Sequence, residues 1–547
     1  MKKKILWVSE ASFMNTGFSV QAMECIQRLH ATGKYELAEL GSYVNDNDPR
    51  GLDLPWQFYG AIPTQEGTLA HKRFYSSNEG QFGAAVFEDV LLDFQPDIVI
   101  HPRDPWMNNY ELESPYRKYY KSIWIPTIDG EPQKAEWIDE YRTADLLLTH
   151  SKYAKELLNR QAPDINVFDM ANPGVNHEIF KPMSKATCRQ ILGLPQNANI
   201  VMTMMRNQKR KLFPDLIEMF AQFLDYCAKK DNVELAKNTF LYLHTSYPDV
   251  GYDIARHILQ NNLSHKVFCT YYCRNCSKFY ASHFQTEMTT CKHCGALAAI
   301  LPNTQYGLTR EEVALVHNAA DIYIQYAVCE GLGMPLCEAK ACGIPVMAPS
   351  YSAMTEHCEC LGTWKINVQR GFHEDVMGTE QFRSLPDNED AYKKLYVFFK
   401  NHAKNNYSNI LRQNAIDNFS FDRSAKVIEN AIDSISILNR NMTWLYNEKR
   451  FMPMNFRVPD IQNNGDFIDY LITNIMFMPE RINTEWRHKL VKGLNVGYIN
   501  YKNSRIQFTK EAAIEMAKEI VSAHNYWENA RINKLGINDR KLEWSLI

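Results

Sequence analysis

The sequence predicts an α/β protein built from two doubly wound, Rossmann-like domains facing a cleft. Three observations carry this. The chain has 547 residues, several times the commonest domain size. Short β-rich runs alternate with helix-length segments in its first third, which means parallel βαβ units. The same alternation then restarts after ANPGV, Ala171 to Val175. With 45% hydrophobic and 22% charged residues, and only 24 Gly and 23 Pro, the composition suits a folded cytosolic enzyme and excludes a disordered or fibrous chain. Lys and Arg total 60 against 63 Asp and Glu, a formal charge of −3. That balance gives no global field for a polyanion or a membrane surface, so any such partner must be held by a local patch.

Taken in order, residues 1–175 form the first expected domain. Its opening, MKKKILWVSE, resembles a signal peptide only briefly, because Ser9 and Glu10 interrupt the apolar run; it reads as a strand. A helix over Phe18 to Leu29 follows, then YELAEL, FEDVLLDF with PDIVIH, SIWIPT and LLLTH. The second domain, 176–437, has NIVMTMM, a helix around Leu212 to Tyr226, then FLYLHTS, VFCTYY, ADIYIQY and IPVMAP. No Gly/Ser linker separates the halves, so the sheets should adjoin, with ligands bound outside the carboxyl ends of strands. Two segments break the pattern. Residues 269–299 form an insertion poor in aliphatics, and 438–547 form a mainly helical C-terminal extension, ending in TKEAAIEMAKEIVSAHNYW, whose sequence identifies no role. No run reaches the 18 apolar residues of a membrane span, and the mean hydropathy is −0.40, so a soluble protein is expected. An odd count of 13 cysteines without an export signal points to reduced thiols in the cytoplasm.

Four of those cysteines have metal-ligand spacing. Cys273-x2-Cys276 and Cys291-x2-Cys294, separated by fourteen residues, supply four thiolates for tetrahedral Zn²⁺. Four cysteines close the site, so the expected role is structural: a zinc ribbon that orders a loop too poor in apolar residues to order itself. Arg274, Lys278 and Lys292, with Tyr271, Tyr272, Phe279, Tyr280 and Phe284, would also allow base stacking; bracing of the loop is the plainer alternative.

The run CEGLGMPLCEAKACGIPVMAP, Cys329 to Pro349, places Glu330 in a Gly-rich loop and Glu338 near the start of a helix. Gly331 and Gly333, flanking Leu332, let backbone N–H groups approach a ligand, and the helix N-terminus favours an anion such as phosphate. A carboxylate one turn on can accept hydrogen bonds from vicinal hydroxyls, as on a ribose. Upstream, RNQKRK starts at Arg206, with four cations in six residues. Cations at a helix N-terminus oppose its dipole, so a bound anion explains them better than a solvated face.

These segments resemble glycosyltransferase family 4, retaining enzymes of the GT-B fold. NPGVNHEIFKP (Asn172 to Pro182) looks like the family's interdomain crossing, MRNQKRKLFPDLIEMF (Met205 to Phe220) like its diphosphate loop and helix, and FSFDRSAKVIENAI (Phe419 to Ile432) like its closing helix. The likeness covers roughly residues 1 to 437 and is looser in the first domain. It implies that Arg206 and Lys211 hold the donor's diphosphate, that Glu338 holds the ribose and that Glu330 holds the transferred sugar. Gly331, Leu332, Gly333 and Gly17, the last between the first strand and helix, would line the donor site. Two fixed cations stabilise most strongly the charge that develops on a departing diphosphate, so no catalytic metal is expected. At Asp129 the family commonly has a His that contacts the sugar; a carboxylate there accepts hydroxyl hydrogen bonds but does not donate, and it favours positive charge developing on the sugar ring. His101 and Asp104 are acceptor-side candidates, with plain loop roles as the alternative.

The expected function is therefore retaining transfer of a sugar from a nucleotide-sugar donor to a hydroxyl acceptor, with a modified nucleic-acid base among the acceptors considered. The alternatives are a nucleotide-sugar epimerase on the same fold and a non-catalytic binding protein using the ribbon and tail.

Overall fold

The computed structural model describes residues 2–76, 78–114, 116–401, 407–438, 444, 458–475, 484–501 and 504–518. The first sheet has seven parallel strands: β1 (Lys3–Glu10), β2 (Tyr35–Asn45), β3 (Gln57–Ile62), β4 (Ile98–His101), β5 (Lys121–Trp124), β6 (Leu146–Thr149) and β7 (Val167–Met170), in the order β3-β2-β1-β4-β5-β6-β7. Ile5 to Val8 are each at most 1% exposed, because a parallel strand covered by helices on both faces must be apolar on both. The chain order reverses between β1 and β4, which opens a crevice at their carboxyl ends. Strands β3 and β7 were not anticipated. Gln57 and Asp169 dilute their apolar character, and each is an edge with one neighbour.

The second sheet contains β8 (Asn199–Met204), β9 (Thr239–His244), β10 (Val267–Cys273), β11 (Phe279–His283), β12 (Thr289–Thr290), β13 (Leu297–Ile300), β14 (Ile322–Ile324), β15 (Val346–Pro349) and β16 (Thr363–Ile366). Its order is β12-β13-β10-β9-β8-β14-β15-β16, with β11 also paired to β10. The cysteine segment is therefore continuous with the sheet. β10 runs parallel to β9 through Val267, Phe268 and Cys269, then carries on to pair antiparallel with β11 and β13. Cys269 lies inside the main core.

A hairpin of β17 (Val368–Val376) and β18 (Thr379–Pro386) stands outside both sheets. Its charged, Gly-containing sequence gave no sign of it.

The chain crosses between the halves twice, side by side. Val175 donates its N–H to Phe419 O at 2.7 Å, and Phe421 donates to Val175 O at 3.1 Å. A Cβ on Gly174 would stand 1.9 Å from Phe419 O, which is why the first crossing carries glycine. After the second crossing the helix Phe421–Ser434 packs Phe421, Val427, Ile428, Ala431 and Ile432 into the core of the first sheet, against Ile5, Trp7 and Cys25.

Within the extension the described residues build their own small core, in which Phe467, Leu471, Trp486, Leu490 and Phe508 meet. Helices Asn464–Tyr470 and Thr484–Val496 are joined there by a hairpin of β19 (Tyr498–Tyr501) and β20 (Ser504–Gln507). The helical pattern in TKEAAIEMAKEIVSAHNYW is present from Lys510 to Lys518, and its remainder lies outside the described residues. Among the described residues, no helix is long and apolar enough to cross a membrane.

Candidate functional site

The carboxyl ends of β1, β4, β5, β8 and β14 all open onto the space between the sheets. From the first sheet come Glu10, Gly17, Asp104, Thr127 and Asp129; from the second come Arg206, Arg210, Lys211 and Glu330 to Gly333.

Glu330 is the hub. Its carboxylate receives Lys211 Nζ, Arg210 Nη1 at 3.0 Å and Gln325 Nε2, while its backbone N–H donates to Ser352 Oγ at 2.9 Å. Glu330 is only 5% exposed and Lys211 8%. Burial pushes the Glu330 carboxyl up, yet Lys211 and Arg210 together outweigh it and hold the group at about 2. Burial and the neighbouring Arg210 pull Lys211 down to about 8 against the pull of Glu330. Lys211 ends a 3-10 turn, Lys209–Lys211, and Leu212 takes a left-handed φ of 43° before the helix Phe213–Lys229. That break aims two successive cations at one carboxylate. Arg210 was not singled out from the sequence, although RNQKRK contains it.

Arg206 is placed apart from Lys211. Its guanidinium forms a two-pronged pair with Asp249, Nε to Oδ2 at 2.8 Å and Nη2 to Oδ1 at 2.9 Å, and is half exposed. Across the cleft it meets the field of Glu10, whose carboxyl burial raises against the Thr16 hydroxyl and the Arg103 and Arg206 cations.

The Gly-rich loop packs tightly on the first sheet. A Cβ on Gly331 would stand 2.6 Å from Thr127 Cγ2. Gly333, at φ 89°, caps the helix Met334–Ala341. Gly17 begins the helix Gly17–Ala31, and a Cβ there would lie 3.7 Å from Met334 Sδ, so two helix N-termini face each other across the cleft. This pairing is the arrangement that favours an anion between them. Glu338, 6% exposed, sits one turn into the second helix with His317 Nε2 at 3.3 Å and Arg310 Nη2 at 3.5 Å.

Asp129 receives Arg383 Nη1 on Oδ1 at 3.1 Å and the Cys329 thiol on Oδ2 at 3.2 Å. Asp104 lies beside it with a buried, unpartnered Oδ1, and burial together with the Asp129 charge raises its carboxyl to about 6. His101 has a different setting from the one expected of an acceptor-side group. It is fully buried, with Nε2 2.6 Å from Glu111 Oε2, and Arg117 Nε lies 3.2 Å from Glu111 Oε1. Burial opposes ionisation of Glu111, but His101 and Arg117 hold it at about 2. His101 closes strand β4 packed against Glu111, whereas Asp104, three residues on, is partly exposed and lies in the field of Asp129.

The four cysteine sulfurs of Cys273, Cys276, Cys291 and Cys294 lie within 4.8 Å of one another, with 3.7 Å between Cys273 and Cys294 and 3.8 Å between Cys276 and Cys291. A tetrahedral ion with thiolates at ~2.3 Å sets its sulfurs about 3.8 Å apart, so this group could hold a metal. The unit stands near the cleft. Arg274 lies over the Tyr306 ring at 5.8 Å, and the adjoining Gly307 approaches Asn15 in the loop after β1.

Two parallel sheets, a paired crossing and a site at their facing strand ends define the GT-B fold. No family model matches the chain. It is similar to an uncharacterized glycosyltransferase 335 of Sulfolobus islandicus rod-shaped virus 1, 26% identical over 254 residues, or 46% of this chain and 60% of that one. A D-inositol 3-phosphate glycosyltransferase of a Nocardioides species is 32% identical over 98 residues, 18% of this chain and 20% of the relative. The matched part thus spans from a fifth to three fifths of these relatives' lengths. Among solved structures, sucrose-phosphate synthase from Thermosynechococcus elongatus superposes with a TM-score of 0.56 at 14% identity, covering 79% of this chain and 98% of that one. Anabaena HepE, in complex with UDP and glucose, gives a TM-score of 0.55 at 12% identity, covering 79% and 100%. At these identities the structural likeness is one of fold.

Proposed function

We propose that the chain is a retaining glycosyltransferase that moves a sugar from a nucleotide-sugar donor to a hydroxyl acceptor. The observation that carries this is the buried Lys211–Glu330 pair, with the partly exposed Arg210 on the same carboxylate, beside two facing helix N-termini at the strand ends of a GT-B fold. The donor's diphosphate would lie against those N-termini, with Lys211 and Arg210 beside it and Arg206 recruited from Asp249. Glu338 would take the ribose hydroxyls. In the transfer the bond from the anomeric carbon to the phosphate oxygen breaks, and the bond to the acceptor oxygen forms on the same face. The acceptor's proton passes to the departing phosphate, whose growing charge the cations stabilise. Glu330 keeps the two cations in place before the donor arrives, so little reorganisation is needed during the reaction. Asp129 and Asp104 would accept hydroxyl hydrogen bonds on the sugar and acceptor sides.

A uridine nucleotide is the first donor to try, since HepE has been solved with UDP-glucose. Zn²⁺ is the metal proposed for the four cysteines, with a structural role. The cysteine unit beside the cleft, with its Arg274 over the Tyr306 ring, suits an acceptor larger than a free sugar, and a nucleic-acid base is one such acceptor. The test is a panel of nucleotide sugars read by thermal stabilisation, followed by mass spectrometry of nucleic-acid, lipid and protein acceptors with the donor that binds. Release of free nucleotide together with a mass gain of one sugar on an acceptor is expected. A donor that is only converted to its epimer would overturn the transfer.

A further inference from the structure

We propose that Arg383, carried by the β17–β18 hairpin, is a positioning residue that fixes Asp129 from the opposite side of the cleft. This rests on the glycosyl-transfer reading above.

The hairpin belongs to the half of the chain that carries β8 to β16, yet it docks on the loop that follows β5 of the first sheet. Phe382 donates its N–H to Glu131 O at 2.6 Å, and Tyr351 OH donates to Phe382 O. On the other side Ser384 donates to Val328 O at 3.3 Å, two residues before Glu330. The strand is thus clamped between the two halves. Alternation along it then decides which side chains face inward: Gln381 and Arg383 are 1% and 5% exposed, while Phe382 between them is 36% exposed. The Phe382 ring lies over Gly371 of β17, where a Cβ would stand 1.8 Å from its Cζ. That glycine lets the outward ring settle and keeps Arg383 turned in.

The guanidinium arrives with little freedom. A Cβ on Gly130 would stand 2.4 Å from Arg383 Nη1, so the group packs directly on the backbone next to Asp129. Nη1 holds Asp129 Oδ1 at 3.1 Å, and Nε holds Glu374 at 3.2 Å. The second Asp129 oxygen is held by Cys329, again from the opposite half. Both oxygens of a first-sheet carboxylate are therefore oriented by second-sheet residues, and each keeps a lone pair for a ligand hydroxyl. Asp104 beside it carries an unpartnered oxygen, so without a cation two carboxylates would face each other. Arg383 and Cys329 hold the Asp129 carboxylate in one orientation beside the segment that leads to Glu330. The reaction then needs the hairpin docked.

The experiment is a double-mutant cycle on full-length protein with UDP-glucose as the first donor probe, or the sugar nucleotide that the panel selects. Arg383→Ala is expected to lower kcat by ~10²-fold, the scale of a misplaced reacting group, while UDP binding is unchanged. Arg383→Lys should recover part of the loss. Asp129→Ala combined with Arg383→Ala should be no slower than Asp129→Ala alone, because the arginine acts through the aspartate. If the two losses multiply, or if Arg383→Ala weakens UDP binding and kcat together, the proposal is overturned. Arg383→Gln, which keeps the volume, serves if the alanine variant does not fold. Failure of the transfer reading itself would look different, since wild-type protein would then release no nucleotide with any donor and acceptor.

Discussion

The cysteine unit and the cleft are both small groups of polar side chains, but they are assembled in opposite ways. The unit draws its four sulfurs from one short run, Cys273 to Cys294, and two short-range turns bring them together. The cleft draws on Asp104, Asp129, Lys211, Glu330 and Arg383, which are distant in sequence, and exists only when two sheets meet. The comparison teaches that local spacing can specify a ligand set, whereas a charge network needs packing to choose its partners. It also shows that the two are not independent, since β10 joins the unit to the sheet that carries Lys211.

The largest expected effect breaks the local half. Protein prepared without chelator should contain about one zinc per chain, and Cys273→Ser or Cys291→Ser should lose it. Structural zinc sites contribute apparent energies on the order of 10 kcal/mol, so the unit should unfold. Because β10 continues into the sheet, the main thermal transition should fall as well. Metal analysis and a melting curve check both, and an absence of stoichiometric zinc would remove the assignment.

The next effect breaks the cleft without touching the unit. Lys211→Ala should lower kcat by ~10²-fold, the usual scale for losing one stabiliser of transition-state charge, with the zinc content unchanged. Turnover near the wild-type value would mean that the diphosphate lies elsewhere.

A smaller effect sharpens the electrostatic side of the comparison. Asp104 has its folded carboxyl raised to about 6 from 3.8, so the folded state holds this proton more tightly than the unfolded one. The stability it contributes is present below the unfolded value and is lost as pH rises through the folded one. Asp104→Asn should therefore gain stability over wild type between about pH 4 and pH 6, on the order of 3 kcal/mol by neutral pH. A difference in melting temperature that stays flat across that window would count against the facing carboxyl pair.

The smallest effect probes how tightly the two halves close. Gly331→Ala would set a methyl against Thr127, costing about 1 to 2 kcal/mol of overpacking, and Thr127→Ser in the same chain should relieve most of it. If the double variant melts no higher than Gly331→Ala, the contact does not limit closure.

Much of this architecture was legible beforehand. ILWVS, PDIVIH and NIVMTMM announce parallel strands because a strand buried on both faces has to be apolar throughout. CEGLGMPLCEAK announces a glycine turn leading into a helix N-terminus, and the CxxC pairs announce their own convergence. These are near-neighbour constraints that a linear pattern can hold. Arg383 was not legible, because QFRSLP carries no site signal of its own and only docking on Glu131 turns its arginine inward. His101 was misleading for the same reason: IVIHPRD marks the end of a strand, but which polar residue there faces the cleft depends on Glu111 and Arg117 packed behind it.

The amino-acid sequence by itself determined two α/β sheets, the glycines at the cleft and the four metal-spaced thiols, since local backbone preference and short-range periodicity suffice for these. Tertiary structure alone decided that Glu330 is shared by Lys211 and Arg210, that Arg206 rests on Asp249 and that Arg383 reaches across to Asp129. The physical reason is that a buried charge takes whichever counter-charge the packing brings within a few ångströms, and that choice is made between segments distant in sequence.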